Sequence, residues 1–167
     1  MIMRAWIVVV ALLLSACGFH LRGSHALPFE TLGISLPESN ELRAVIKRNI
    51  EASTQTRVVG ENDKAQASLQ IIGDAPVKRI LSLNSAGRVR EYQLVRTFRF
   101  KVVDPTGTEF LPPTSIVITR EMTFDDAAVL SKEAEEVLLW RDIQNDLVQQ
   151  LLRRLAAIKP VVAAAKQ

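Results

Sequence analysis

From Glu91 to Val103 the side chains alternate with period two. Tyr92, Leu94, Phe98, Phe100 and Val102 fall on one face, with Arg96 the one charged residue among them. Glu91, Gln93, Val95, Thr97, Arg99, Lys101 and Val103 fall on the other. A helix repeats every three to four residues, so this stretch predicts a long strand with one buried face. Its neighbours are close in sequence. Asn84-Ser85-Ala86-Gly87 and Asp104-Pro105-Thr106-Gly107 read as tight turns on either side. The strand before it runs from about Ala67 past Pro76 to Leu83. Pro76 cannot donate to a ladder, which predicts a bulge or an edge there. The strand after it carries Ile116, Ile118, Met122 and Phe124 on its core face, interrupted by Arg120, with Val117, Thr119, Glu121 and Thr123 opposite.

Helical spacing appears on both sides of this meander. Leu42, Val45, Ile46 and Ile50 predict a helix that starts after Pro37 with Ser39 as N-cap and Glu41 in its first turn, and ends near Ser53. Arg43, Lys47 and Arg48 are expected to face elsewhere. Val137, Trp140, Ile143, Leu147, Leu151, Leu155 and Ile158, broadened by Leu138, Leu139, Val148 and Leu152, predict a long terminal helix. Ser131 would cap it and Pro160 would stop it. Before the first helix, Leu32, Ile34 and Leu36 alternate as a short strand. The order β-α-β-β-β-α predicts an α+β two-layer sandwich, a four-stranded mixed or antiparallel sheet with two helices on one face. The other sheet face, with Val95, Thr97, Arg99, Lys101, Val117 and Thr119, is left uncovered. It reads equally as wet surface or as a docking face.

The N-terminus has a different pattern. Arg4 precedes the apolar run Ala5–Leu14, too short to span a bilayer but of the length of a secretory signal. Leu14-Ser15-Ala16-Cys17 resembles the lipobox of bacterial lipoproteins, in which the Cys is lipidated and becomes the first residue. A lone buried Cys is the plainer alternative. We expect a removed signal peptide over 1–16, a lipidated tether over 17–28, a single domain over 29–159 and a tail over 160–167. The acyl chains on Cys17 would hold the protein to a membrane, since two or more chains anchor stably.

Composition narrows function further. Hydrophobic residues make up 48% and charged residues 23%, which excludes disorder of the whole chain. One Cys and two His leave no disulfide framework and no expected metal site. His20 and His25 both lie in the tether, so the body lacks the base of a nucleophilic triad. No phosphate-cradling Gly-rich motif, internal repeat or low-complexity block occurs. We therefore expect no enzyme activity and no cofactor. A net charge of +3 and 5% aromatic residues do not suggest a nucleic-acid partner. The remaining lead is basic: Arg88 and Arg90 beside Gly87, Lys132 at the start of the last helix, and Arg96, Arg99, Lys101 and Arg120 on neighbouring strands. Such groups bind phosphate through charge-assisted hydrogen bonds.

Four segments together resemble the LptE family of lipopolysaccharide-assembly lipoproteins. Cys17-Gly18-Phe19-His20-Leu21-Arg22-Gly23 resembles the family's start. Glu91-Tyr92-Gln93 resembles its central signature. Arg120 with Phe124-Asp125 resembles the end of its fourth strand, and Leu147 to Leu155 resembles its terminal helix. The resemblance implies a non-catalytic plug inside an LptD-type β-barrel, lipid-anchored at the outer membrane, that assists the barrel's assembly and binds lipopolysaccharide. Gly18, by resemblance to exported lipoproteins, also favours the outer membrane. The family's basic residue at the start of the last helix falls on Lys132. Its hairpin basic residue falls near Ser85, with Arg88 and Arg90 beyond Gly87. We expect Lys132, Arg88 and Arg90 to contact lipid phosphate, and Arg99, Lys101 and Thr119 to face the barrel. The alternatives are an outer-membrane-anchored lipid carrier or lipoprotein chaperone, and a structural lipoprotein that binds peptidoglycan.

Overall fold

A computed structural model describes residues 27–60 and 64–159. The expected signal, Cys17, most of the tether and the tail lie outside the described residues. The elements are β1 (Thr31–Ile34), α1 (Glu41–Ser53), β2 (Arg57–Val58), β3 (Ala67–Leu83), β4 (Val89–Val103), β5 (Glu109–Thr123) and α2 (Val129–Ala156), with one 3-10 turn, Asp126–Ala128, before α2. The sheet has five strands in the order β2-β1-β3-β4-β5, not four. The added strand, β2, is two residues long, too short to show any periodicity. It pairs parallel to β1, as β3 does on β1's other side. β3, β4 and β5 form the antiparallel meander.

Local chemistry explains most boundaries. The N-cap of α1 is Asn40, not Ser39: its Oδ1 accepts from the Arg43 N–H at 3.2 Å. Gly87 and Gly107 hold φ of 74° and 90° in the two hairpin turns, where a Cβ would be strained. In the second turn the Asp104 carboxylate accepts from the backbone N–H groups of Thr106 and Thr108, both at 2.8 Å, and from the Thr106 hydroxyl at 2.7 Å. β3 bulges between Ile71 and Gly73, upstream of Pro76.

Ser131 does not cap α2. The helix begins at Val129 without a side-chain cap, because Asp125 caps the preceding 3-10 turn through the Ala127 N–H at 2.9 Å. Pro160, expected to stop it, lies outside the described residues. The helix finishes at Ala156, where the Ala157 N–H reaches the Arg153 carbonyl.

The core is one cluster. Leu32 and Ile34 of β1, Leu69 of β3, Leu94, Phe98, Phe100 and Val102 of β4, and Ile116, Ile118 and Met122 of β5 meet Leu42, Val45, Ile46 and Ile50 of α1. Ile143, Leu147, Val148, Leu151, Leu152 and Leu155 of α2 complete it. Each fully buried Leu, Ile or Phe contributes about 1.5–3 kcal/mol relative to exposure. The α2 stripe is buried only in its second half: Val137 and Leu138 are exposed, and Leu130 is 83% exposed. Arg43, expected to face away, is buried instead. Its guanidinium donates to the Val59 carbonyl, an acceptor that exists there only because β2 brings the chain back past β1.

Candidate functional site

The two turns and the start of α2 bring distant basic residues to one end of the sheet. Asn84 to Gly87 closes the β3–β4 hairpin, and the Asn84 side chain accepts from the Ala86 and Arg88 N–H groups, both at 3.0 Å. Arg88 then stands beside Asp126, with Nη1 3.4 Å from its carboxylate. The Arg90 carbonyl accepts from the Phe124 N–H at 2.8 Å. Lys132 Nζ donates to Thr123 Oγ1 at 3.1 Å and to Glu135 at 2.8 Å. Arg88 and Lys132 thus reach the segment 123–126 with their side chains, and Arg90 is joined to it through its backbone. Arg88 and Arg90 are exposed and Lys132 is half-buried. Arg90 pairs with no carboxylate among the described residues, whereas Arg88 and Lys132 each share theirs. An arriving phosphate competes with Asp126 and Glu135 for two of the three cations. The Arg88–Asp126 contact is long and exposed, so little is lost by giving it up.

Arg96 and Arg120, both grouped with the phosphate-binding candidates by sequence, are spent elsewhere. They sit on the helix-facing side of the sheet. Arg96 holds Asp74 through two bonds, at 2.6 and 2.8 Å, and donates to Gln144 of α2 at 3.2 Å. Arg120 donates to Asp142 at 2.8 Å and to Asp146 at 3.3 Å. The Asp142 contact, then the Asp146 contact, raises the guanidinium pKa above its ordinary value. Lys78 adds a third tie, 2.6 Å from Glu136 and stacked over the Tyr92 ring at 4.1 Å. Trp140 Nε1 donates to the same Glu136. α2 is therefore tied to the sheet by polar contacts between Glu136 and Asp146, and packed by a fully apolar stripe from Ile143 to Leu155. Sequence reasoning missed this because Glu136, Asp142 and Asp146 look like solvated charges until α2 is laid over the meander, and Asp74 until the β3–β4 register brings it beside Arg96.

The residues expected to face a barrel lie on the opposite side of the sheet. Thr119 lies opposite Val95, Val117 opposite Thr97, and Ser115 opposite Arg99. Arg99, Val117 and Thr119 are exposed, while Val95 is covered by its neighbours. Lys101 is partly withdrawn toward Glu109, at 3.5 Å. An open-sided cavity of about 540 Å³ lies at the β1 end, lined by Gly33, Ile34, Ser35, Lys64, Ser68 and Pro105. No group of His, Cys, Asp and Glu able to hold a metal occurs among the described residues. No helix among them is long and apolar enough to cross a membrane.

A family model described as "LptE: Lipopolysaccharide-assembly" matches residues 29–155. The chain belongs to the LptE family. Among curated proteins, this LptE-family chain is 26% identical over 153 residues to the LPS-assembly lipoprotein LptE of Pectobacterium atrosepticum, covering 90% of this chain and 82% of that protein. It is 29% identical to the protein of the same name from Yersinia enterocolitica, covering 90% and 73%. Among solved structures, lipoprotein B from Nitrosomonas europaea is 39% identical with a TM-score of 0.73, covering 84% of this chain and 91% of that one. Rare lipoprotein B from Shewanella oneidensis is 25% identical with a TM-score of 0.65, covering 76% and 94%.

Proposed function

We propose that this LptE-family chain is a non-catalytic lipoprotein of the outer membrane that acts in lipopolysaccharide assembly. Cys17 carries its acyl anchor. The chain helps an LptD-type β-barrel assemble, plugs its lumen and binds lipopolysaccharide as the lipid passes to the outer leaflet. The observation that carries the lipid part is the gathering of Arg88, Arg90 and Lys132 on the segment 123–126. Cations so placed can meet the phosphates of a lipid headgroup, while Ile80 and Leu83 of the adjoining strand offer exposed apolar surface. The open sheet face, with Arg99, Lys101 and Thr119, is the proposed contact with the barrel wall.

Two experiments test this. Purification of the tagged chain from its own membrane in mild detergent should bring down a large β-barrel in roughly equal amount. A monomer under conditions that preserve other outer-membrane complexes would sink the plug reading and bring a lipid carrier to the front. Photocrosslinkers at Arg99 and Thr119 should capture that same barrel in cells, and silence at every position on the face would remove it as the contact surface.

A further inference from the structure

The two edges of the meander differ in how they are protected. β5 carries Pro112 and Pro113, and Val117 is its one exposed large apolar residue. β3 is more open. β1 stops at Ile34, opposite Leu69, so β3 continues to Leu83 with no strand beside it on that side among the described residues. A 17-residue strand spans about 56 Å, whereas the 13-residue α1 reaches about 20 Å, so α1 cannot cover that length. Val77, Ile80, Leu81 and Leu83 are 49%, 54%, 43% and 55% exposed. An edge with bare backbone and exposed apolar side chains is a template for another strand.

The usable stretch is short and defined. The β3–β4 register runs unbroken from Gly73 opposite Arg99 to Ile80 opposite Tyr92, then shifts at Leu81. Pro76 sits inside it. Proline is tolerated on an edge where its nitrogen faces out of the sheet. By alternation, the N–H groups of Lys78 and Ile80 face outward too. Pro76 closes one end of this window and the shift at Leu81 closes the other. Inside it, Val77 and Arg79 point to the open face, and Lys78 and Ile80 to the helix face. The window itself carries two cations and no carboxylate. Lys78 also holds Glu136 of α2 at 2.6 Å, but its side chain stays 35% exposed, so an incoming carboxylate would share it and Arg79 is the freer of the two. Arg79 reaches only the neutral Gln93, at 2.9 Å.

We propose that Val77–Ile80 is a strand-addition site for an extended peptide segment of a partner protein with the side-chain order apolar-acidic-acidic-apolar. Apolar residues would lie beside Val77 and Ile80, and carboxylates beside Lys78 and Arg79. The order reads the same in both directions, so it serves a parallel or an antiparallel strand. The charge argues against a second copy as the occupant, since two such edges would bring like charges together.

The probe is a labelled peptide of about eight residues centred on Val-Glu-Glu-Val, titrated into the full chain in mild detergent. Saturable binding is expected, at least tenfold weaker for the Val-Lys-Lys-Val peptide. N-methylation of alternate amides should abolish binding in one phase and leave it intact in the other, as only a ladder requires. Ile80→Pro removes an outward donor and no internal bond, and should weaken binding at least tenfold. Arg79→Glu, which leaves the backbone alone, should shift the preference toward the Lys peptide. Absence of binding up to about 1 mM, or indifference to both N-methylation phases, overturns the proposal. So does self-association of the chain that Ile80→Pro abolishes, which would make a second copy the occupant. No lipid or barrel enters these assays, so their failure is separable from failure of the proposed function.

Discussion

Arg88, Arg90, Arg96 and Arg120 are chemically alike in the sequence and differ in what surrounds them. Arg96 and Arg120 point into the layer between sheet and helix and find carboxylates there. Arg88 and Arg90 remain exposed at the hairpin. Charge reversal should separate the two pairs. Combining Arg88→Glu, Arg90→Glu and Lys132→Glu should reduce lipopolysaccharide binding at low salt at least tenfold while leaving the circular dichroism spectrum unchanged. Unchanged binding would remove these three from the site. Arg96→Met should do the reverse, lowering stability by about 1–3 kcal/mol in a denaturant titration because Asp74 and Gln144 lose their donor. Asp74 is partly exposed, so solvent repays some of that cost.

Caps and turns decide where elements begin. Asn40→Ala should cost about 1 kcal/mol in a denaturant titration, whereas Ser39→Ala should stay within about 0.5 kcal/mol. The pair tests which residue caps α1, since both types are good caps and only the Asn40–Arg43 bond distinguishes them. In the β4–β5 turn, the Thr106 hydroxyl, then the N–H groups of Thr108, Thr106 and Gly107, hold the Asp104 carboxyl below the usual carboxylate range. A depressed folded pKa means its stabilisation is present above the unfolded value and is lost as pH falls through the folded one. Asp104→Asn should therefore lower the melting temperature at neutral pH, and the gap to the parent should close in acid. A gap that persists in acid would mean the turn does not depend on the ionised carboxylate.

At the scale of the whole molecule, one core grips the β1 end of the sheet and charge grips the hairpin end. Leu147→Ala should cost about 2–5 kcal/mol, because Leu147 is fully buried between helix and sheet. Leu130→Ala, on the same helix but exposed, should change stability by less than about 0.5 kcal/mol. Added salt should loosen the first half of α2 before the second, readable as faster amide exchange between Val129 and Trp140 than between Ile143 and Leu155. Equal protection along the helix would show that the Lys78–Glu136 and Arg120–Asp142 ties are not what holds its first half.

The sequence by itself determined the elements whose periodicity is long enough to be read. The alternation through Glu91–Val103 dictated β4, the turn glycines placed β3 and β5 around it, and the two apolar stripes required helices on a shared face. A meander returns the end of β5 beside the start of β4, so the order of turns also let Arg88, Arg90 and Lys132 be expected at one end of the sheet. Tertiary structure alone decided the rest. Two residues of β2 form a strand only because β1 offers an edge, and Arg43 is buried only because β2 returns the chain past it. Gln144 became a partner of Arg96, and Asp142 and Asp146 partners of Arg120, only when the helix was laid across the meander. Periodicity records which face of an element is apolar. It does not record how far each element extends past its neighbours, and that mismatch of lengths leaves the β3 edge bare among the described residues.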